Sequence, residues 1–573
     1  MQCGRCGSAS MSHDHHHDHP HHHDHDHSHG EVSGVEGTWA DPQADDPLSV
    51  SRRAFLVTTA VVAGAAAGLG GAVSGVGQGV AAAAGAGTTT NAWTGRTRYY
   101  AGDHHIHTKY SPDAQYDVAT QVIKGRQYGL DWMVITDHGG VAHQKLSIDK
   151  ITPEIEKVRR QYAGTMIYQG LEWNIPGAEH ATVMLPPGNA TVDILKAFEA
   201  GYDGSALAAK GVTGNVEPYA IEALKYLDNQ VRNRRTEIAL MFANHPSRQG
   251  IDSPHELRNW RDAAPSVAVG MEGAPGHQAA GIPVSQGGPG SGRGYYDNAG
   301  ARADRFLPYP PESYRTFGGF DWMTATLGGL WDSLLAEGKP WWVTATSDSH
   351  RVFRDTRVQG PLDFNTNGTK GDAVDTGRPI TQYGDFWPGQ YSSTLVGSDS
   401  RSYVGIMQGL QAGKVVAVHG RIIEGLDVRV RSAKDGDPQG ATLGGRTWVR
   451  RGGSVTVTIT VKVAGGANAN GDVPKLAKVD LISGPITGEA SDRDRFTAPE
   501  TTVAKTFEVG RGRAQWTFEH TFTNVERSFY VRLRGSDGNQ LDSNGNPLMD
   551  VVGDANPWED LWFYANPVFV DAI

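Results

Sequence analysis

The sequence predicts an α/β chain, a barrel of strands alternating with helices, followed by a small antiparallel β-sandwich. Three observations carry that expectation. Short apolar runs at 132–136, 165–170, 181–185, 238–243, 267–271 and 341–346, with a first strand ending near Asp103, alternate with amphipathic segments at 118–128, 153–162 and 216–234. Nearly every run ends in His, Asp, Glu or Asn chemistry. From about Ile423 the pattern changes to two-residue alternation, clearest at 455–463 and 516–522, with a further run at 529–533 and a closing one at 564–570.

A chain of 573 residues is too long for one ordinary compact domain. The expected division is a leader at 1–86, a barrel at 97–425 and a sandwich at 426–573. The net charge of −11 argues against a protein that coats nucleic acid, which needs a basic field to displace counterions. The two cysteines, Cys3 and Cys6, both fall in the expected leader, so the domains after it hold neither disulfides nor thiolate-bound metal.

Ser51-Arg52-Arg53-Ala54-Phe55-Leu56, a mildly apolar Ala/Gly run to about Val80 and the small residues up to Gly87 resemble a twin-arginine export signal. Cleavage is expected near Ala84 or Ala86. The implied partner is the twin-arginine translocon, and the implied location is periplasmic or extracellular. So glycine-rich a run makes a poor stable membrane anchor. Eleven of the 23 histidines lie between His13 and His29, alternating with aspartates. Such a tract, with the Cys3/Cys6 pair, could handle metal before export or be solvated low-complexity sequence.

The barrel segment carries the chemistry. Asp103-His104-His105-Ile106-His107 ends the first strand, and Thr136-Asp137-His138 the second. Gly170-Leu171-Glu172 follows the third, while Asn244-His245-Pro246 and Ser347-Asp348-Ser349-His350 close two later ones. Metal-type side chains recurring at strand ends describe the catalytic face of a βα barrel. In extended backbone residues i and i+2 point the same way, so His105/His107 and Asp348/His350 form chelating pairs, and His104 points away. Imidazole and carboxylate without thiol select zinc, manganese or iron. The ligands outnumber one tetrahedral shell, so two or three divalent ions are expected.

Asp103-x-His105-x-His107-Thr108-x-x-Ser111-x-Asp113, then Thr136-Asp137-His138-Gly139, Gly170-x-Glu172, His180, Asn244-His245-Pro246 and Ser347-Asp348-Ser349-His350 resemble the ordered motifs of the PHP (polymerase and histidinol phosphatase) metallohydrolase family over residues 97–425. That resemblance implies a distorted seven-stranded (β/α) PHP barrel and three ions. The first would be held by His105, His107, Glu172 and Asp348; the second by Glu172, His180 and His245; the third by Asp113, His138 and His350. Asp113 stands where some relatives carry His, and His180 lacks a sharp local motif. Leu410-x-x-Gly413-Lys414-Val415-Val416-Ala417 and the closing strand resemble the carbaryl-hydrolase-like (CehA/McbA) branch.

The chemistry expected is hydrolysis by metal-activated water, most simply of an anionic small-molecule phosphoester. Asp137, or the neighbourhood of His138, is a candidate for proton transfer, and no general acid stands out. Arg248 and Arg351, just after ligand turns, are candidate anion clamps, and Lys109 a weaker one. Two alternatives remain: hydrolysis of a carboxyl ester, amide or carbamate, and a non-catalytic metal- or glycan-binding surface protein. The stretches 273–318 and 352–399 are long for barrel loops, and Tyr295, Tyr296, Tyr309 and Trp387 within them could line a substrate groove. His143, His255, His277 and His419 are expected in loops or at the surface. Trp331, Trp341 and Trp342 are expected in the core or a pocket wall. Asp542-Ser543-Asn544-Gly545-Asn546 hints at a calcium loop, with Pro547 where glycine is needed.

Overall fold

The computed structural model describes residues 98–297, 302–432 and 436–573. The expected leader, its histidine tract and Cys3 and Cys6 lie outside the described residues. Among the described residues no helix is long and apolar enough to cross a membrane.

Seven strands frame the first part: β1 (Arg98–Ile106), β2 (Trp132–Ile135), β3 (Met166–Asn174), β4 (His180–Leu185), β5 (Leu240–Ala243), β6 (Ala268–Ala274) and, after the small ribbon of β7 (Thr316–Phe317) and β8 (Phe320–Asp321), β9 (Trp342–Ala345). They follow one another in a mixed, mostly parallel sheet in the order β1-β2-β3-β4-β5-β6-β9. A parallel bridge between Ile106 and Ser349, with His107 N donating to Ser349 O at 3.2 Å, brings the end of the series back against β1. β2, β5 and β9 are buried from end to end, as expected of strands covered on both faces.

The parallel series is broken at β4, which runs antiparallel to both β3 and β5. The cause is local. Residues 175–179 form a short hairpin, whereas a parallel crossover needs a dozen residues or more. Reversal carries His180, the first residue of β4, to the rim where the other strands end.

The crossover helices bury periodic faces. Val118–Gln127 starts at Asp117, whose Oδ1 accepts from Thr120 N at 2.7 Å. Pro254–Ala263 opens with a reciprocal capping box between Ser253 and Glu256. Trp331, Trp341 and Trp342 are all core residues.

The sheet does not stop at the barrel. β12 (Ser392–Ser398) pairs with β1, β13 (Val415–His419) with β12, and β21 (Trp562–Ala572) with β13. β20 (Phe529–Ser536), β17 (Lys478–Pro485) and β18 (Thr502–Glu508) extend it further, while β15 (Arg446–Val449) runs parallel to the far half of β21. A separate antiparallel sheet of β14 (Ile423–Ser432), β16 (Gly453–Val463) and β19 (Gln515–Val525) lies against this extension. Val455, Val457, Ile459 and Val461 of β16 share one core with Val479, Leu481, Val531 and Leu533, as the alternating pattern requires. A two-stranded ribbon, β10 (Arg357–Val358) and β11 (Val374–Asp375), decorates the second long insertion.

The proposed calcium loop is a docking turn. Asp542 Oδ1 accepts from the backbone of Asn544 and Asn546, each at 2.8 Å, and Asn546 Oδ1 accepts from Leu327 N. A buried ion pair ties the extension to the barrel. Arg532 of β20 grips Asp332 of the helix Leu330–Leu335 through two bonds of 2.7 Å, and Tyr530 OH donates to the same carboxylate at 2.9 Å. Breaking such a pair strands a buried guanidinium. Asp332→Ala is therefore expected to lower unfolding free energy by about 3–5 kcal/mol, measured by denaturant titration.

Candidate metal centre

The rim is built from strand ends and the turns after them. Glu172, the seventh residue of β3, projects into it, 1% exposed. Five imidazoles surround its carboxylate. His105 Nε2 lies 2.9 Å from Oε1, His180 Nδ1 3.2 Å and His245 Nε2 3.3 Å; His138 Nδ1 lies 2.7 Å from Oε2 and His107 Nε2 3.3 Å. Asp348 enters opposite, with Oδ1 3.1 Å from His105 Nε2, 3.2 Å from His107 Nε2 and 3.3 Å from His350 Nδ1. Asp113 closes a third side, 3.2 Å from His138 Nε2 and 3.5 Å from His350 Nε2. The nine expected ligand residues thus occupy one continuous cluster.

The outer nitrogens are held by the protein. His105 Nδ1 lies 2.6 Å from Glu272 Oε1, and Glu272 Oε2 accepts from His245 N at 2.7 Å. His107 Nδ1 lies 2.9 Å from Ser111 Oγ, which donates to Asp137 Oδ1 at 2.6 Å. Proton donation outward on both histidines leaves their Nε2 lone pairs facing inward, 2.9 Å apart and beside two carboxylates. Lone pairs and anions repel one another in that arrangement unless a cation sits among them. Glu172 Oε2 and Asp348 Oδ1 are buried and accept no well-formed hydrogen bond. The donor set therefore fits divalent metal, and triads such as His105/His107/Glu172, His107/His138/His350 and His138/Glu172/His180 each present ligand atoms within 4.8 Å of one another.

Without an ion the cluster balances its charge by protonation: burial opposes charge on His105, His138 and His107, but the surrounding carboxylates raise all three above the ordinary imidazole value. Burial opposes charge on Glu172, but His105, His180 and His138 hold its pKa well below the ordinary carboxylate range. Burial likewise opposes charge on Asp348, which His105 and His277 keep ionised. His245 is driven well below the usual imidazole value by burial and by Arg248, and His350 is pushed down to about 4 by burial and by His107. Neutral imidazole is the form that ligates. Four residues here adopt the left-handed region without being glycine: His245 (φ 33°), His277 (φ 51°), Tyr295 (φ 57°) and Asp348 (φ 45°). Each costs about 1–3 kcal/mol, a strain that surrounding contacts must hold.

The other expected site residues sit around the cluster in different ways. Both oxygens of Asp137 are occupied, accepting from Thr108 N at 2.6 Å, Thr108 Oγ1 at 2.7 Å and Ser111 Oγ, so it anchors the β1 loop behind His107. Arg248 Nη2 lies 3.9 Å from Glu179 Oε2, and Arg351 Nε donates to Asp113 O at 2.8 Å. Lys109 turns away to Glu154 and Asp372. His104 points to the barrel interior, between Thr182 and Thr344.

Several expectations need correction. His277 lies in a loop as expected but is buried there against Asp348 and Asp385, while His143 and His419 lie in a helical turn and a strand and are buried too, His143 against Glu199 and His419 between Phe320 and Tyr391. His255 is partly exposed and pairs with Asp494. Of the aromatic groove, Tyr296 donates to Asp321, Tyr309 to Asp252 O, and Trp387 packs on Tyr116, all buried. Only Tyr295 among the four stands beside the cluster, its ring 4.9 Å from His277.

Glu272, His277 and Asp385 were not singled out by sequence. Glu272 was accessible to the rule that found Glu172, since it follows Met271 at a strand end. His277 and Asp385 lie in long insertions without periodicity.

No family model and no curated protein matches the sequence. Among solved structures, one match is to a two-domain protein containing a predicted PHP-like metal-dependent phosphoesterase from Bacteroides vulgatus. Sequence identity is 15%, the TM-score 0.31, and the match covers 79% of this chain and 94% of that one.

Saturating metal is expected to raise the thermal midpoint of the stripped chain, because about 2.7 kcal/mol is gained when free ion is 100 times its Kd. Glu272→Gln, which weakens the outer hold on His105, is expected to reduce metal affinity about 10–100-fold in competition with a chromophoric chelator.

Proposed function

We propose that the chain is an exported, metal-dependent hydrolase of the PHP type acting on a small anionic phosphoester. One observation supports it above all: a single buried carboxylate, Glu172, faces five imidazoles, with Asp348 and Asp113 supplying further acid. A pure binding site has no need of so many ligands sharing one bridge.

In this proposal His105, His107, Glu172 and Asp348 hold one ion, Glu172, His180 and His245 a second, and Asp113, His138 and His350 a third. The chemistry such ions supply is Lewis-acid polarisation and the activation of water as a nucleophile near neutral pH. The protein's own groups do the rest. Glu272, and the Ser111–Asp137 relay, keep the Nε2 lone pairs of His105 and His107 aimed inward. Arg248 is held charged at the rim: burial opposes its cation, but Glu179 and Asp348 raise its pKa above the ordinary guanidinium value. In this reading it is the cation that would meet an anionic substrate group. Arg351, held through Nε by Asp113 O, leaves the far end of its guanidinium for the same task.

Zinc, manganese and iron all suit this nitrogen and oxygen set. Export through the twin-arginine route belongs to the same proposal and rests on Arg52, Arg53 and the apolar run after them.

The test compares 4-nitrophenyl phosphate with 4-nitrophenyl acetate, using the stripped chain reloaded with Zn²⁺ or Mn²⁺. Phosphate turnover is expected to exceed acetate turnover, and His138→Ala to cut kcat/KM by about 100-fold or more. Turnover of the acetate alone would transfer the assignment to neutral esters, and hydrolysis indifferent to His138→Ala would remove the centre from the chemistry.

A further inference from the structure

The two long insertions meet behind the metal centre. His277, in the stretch 273–318, places Nε2 2.8 Å from Asp348 Oδ2 and Nδ1 2.5 Å from Asp385 Oδ1. Asp385, in the stretch 352–399, uses Oδ2 to accept from the backbone N–H groups of both His350 and Arg351, each at 2.6 Å. The backbones are stitched together as well: His277 N donates to Ser347 O at 3.3 Å, Ala280 N to Gly384 O at 3.1 Å and Phe353 N to Asp385 O at 2.9 Å.

These contacts converge on one short turn, Asp348-Ser349-His350, which carries two of the nine cluster residues and begins in the left-handed region. A strained turn needs its geometry imposed from outside. Asp348 Oδ2 is taken by His277, which leaves Oδ1 aimed at His105, His107 and His350 with no hydrogen bond of its own.

We infer that His277 and Asp385 form a clamp, contributed by both insertions, that orients Asp348 and His350 toward the ions and so sets how tightly part of the centre is loaded. The inference rests on the metal-centre assignment above. His277 and Asp385 act through Asp348 and the turn backbone, so both are positioning residues. The insertions then serve the centre itself.

The experiment titrates Mn²⁺, read as free ion by electron paramagnetic resonance, and in parallel Zn²⁺ against a chromophoric chelator, into the metal-stripped full chain. His277→Ala and Asp385→Asn are expected to weaken one class of sites about 10–100-fold while leaving the remaining sites near wild type. His277→Gln, whose amide nitrogen can replace Nε2 as donor to Asp348, is expected to recover part of that loss. The metal-free variants are expected to keep the wild-type far-ultraviolet circular dichroism and one cooperative unfolding transition, its midpoint lowered by the lost buried contacts. Ion affinities equal to wild type in both His277→Ala and Asp385→Asn overturn the clamp alone. A uniform weakening of every site in both variants also overturns it, since that is general loosening. A wild type that binds neither ion overturns the centre and the clamp together.

Discussion

Everything at the rim is arranged around a charge that the fold cannot leave alone. Glu172 is buried, its Oε2 accepts no hydrogen bond, and imidazole nitrogens approach both of its oxygens. An ionised carboxylate removed from water costs several kcal/mol unless opposite charge compensates it. Protonated histidines can offer that compensation only in part, because burial penalises each imidazolium and neighbouring rings repel: His107 and His350 stack with centroids 3.8 Å apart. Divalent cations would resolve both problems at once, turning inward lone pairs from a cost into ligand bonds. The outward hydrogen bonds to Glu272 and Ser111 make sense on the same terms, since they fix in advance which nitrogen is left to face the centre.

The architecture supplies this convergence cheaply. Parallel strands deliver their carboxyl ends to one edge, so residues far apart in sequence meet there. The one reversed strand is the informative exception. β4 presents its beginning where the others present their ends, and His180 reaches Glu172 because only a short hairpin separates it from β3.

Much of this was legible before any coordinates. Period-two spacing made His105 and His107 neighbours and sent His104 the other way, toward Thr182 and Thr344. Alternation along β16 announced a half-buried strand, and its valines face the second sheet. What was not legible depends on contacts between segments with no local pattern. The direction of β4 is decided by loop length together with pairing on both sides. His277 and Asp385 sit in insertions rich in turns, where neither periodicity nor motif distinguishes a residue behind a ligand from one on the surface. Tyr296 and Tyr309 misled for a related reason: aromatic residues in a long loop read as groove lining, but each hydroxyl found an interior acceptor instead.

The placement of β21 has a consequence for biogenesis. Residues 562–572 pair with β13 and β20, with β15 joining along the far half, so this stretch is an interior rung of the large sheet. A ribosome still holding that stretch withholds the rung, and the extension cannot dock on the barrel through it until synthesis has passed Ala572. Pairing of such long sequence separation is slow to form.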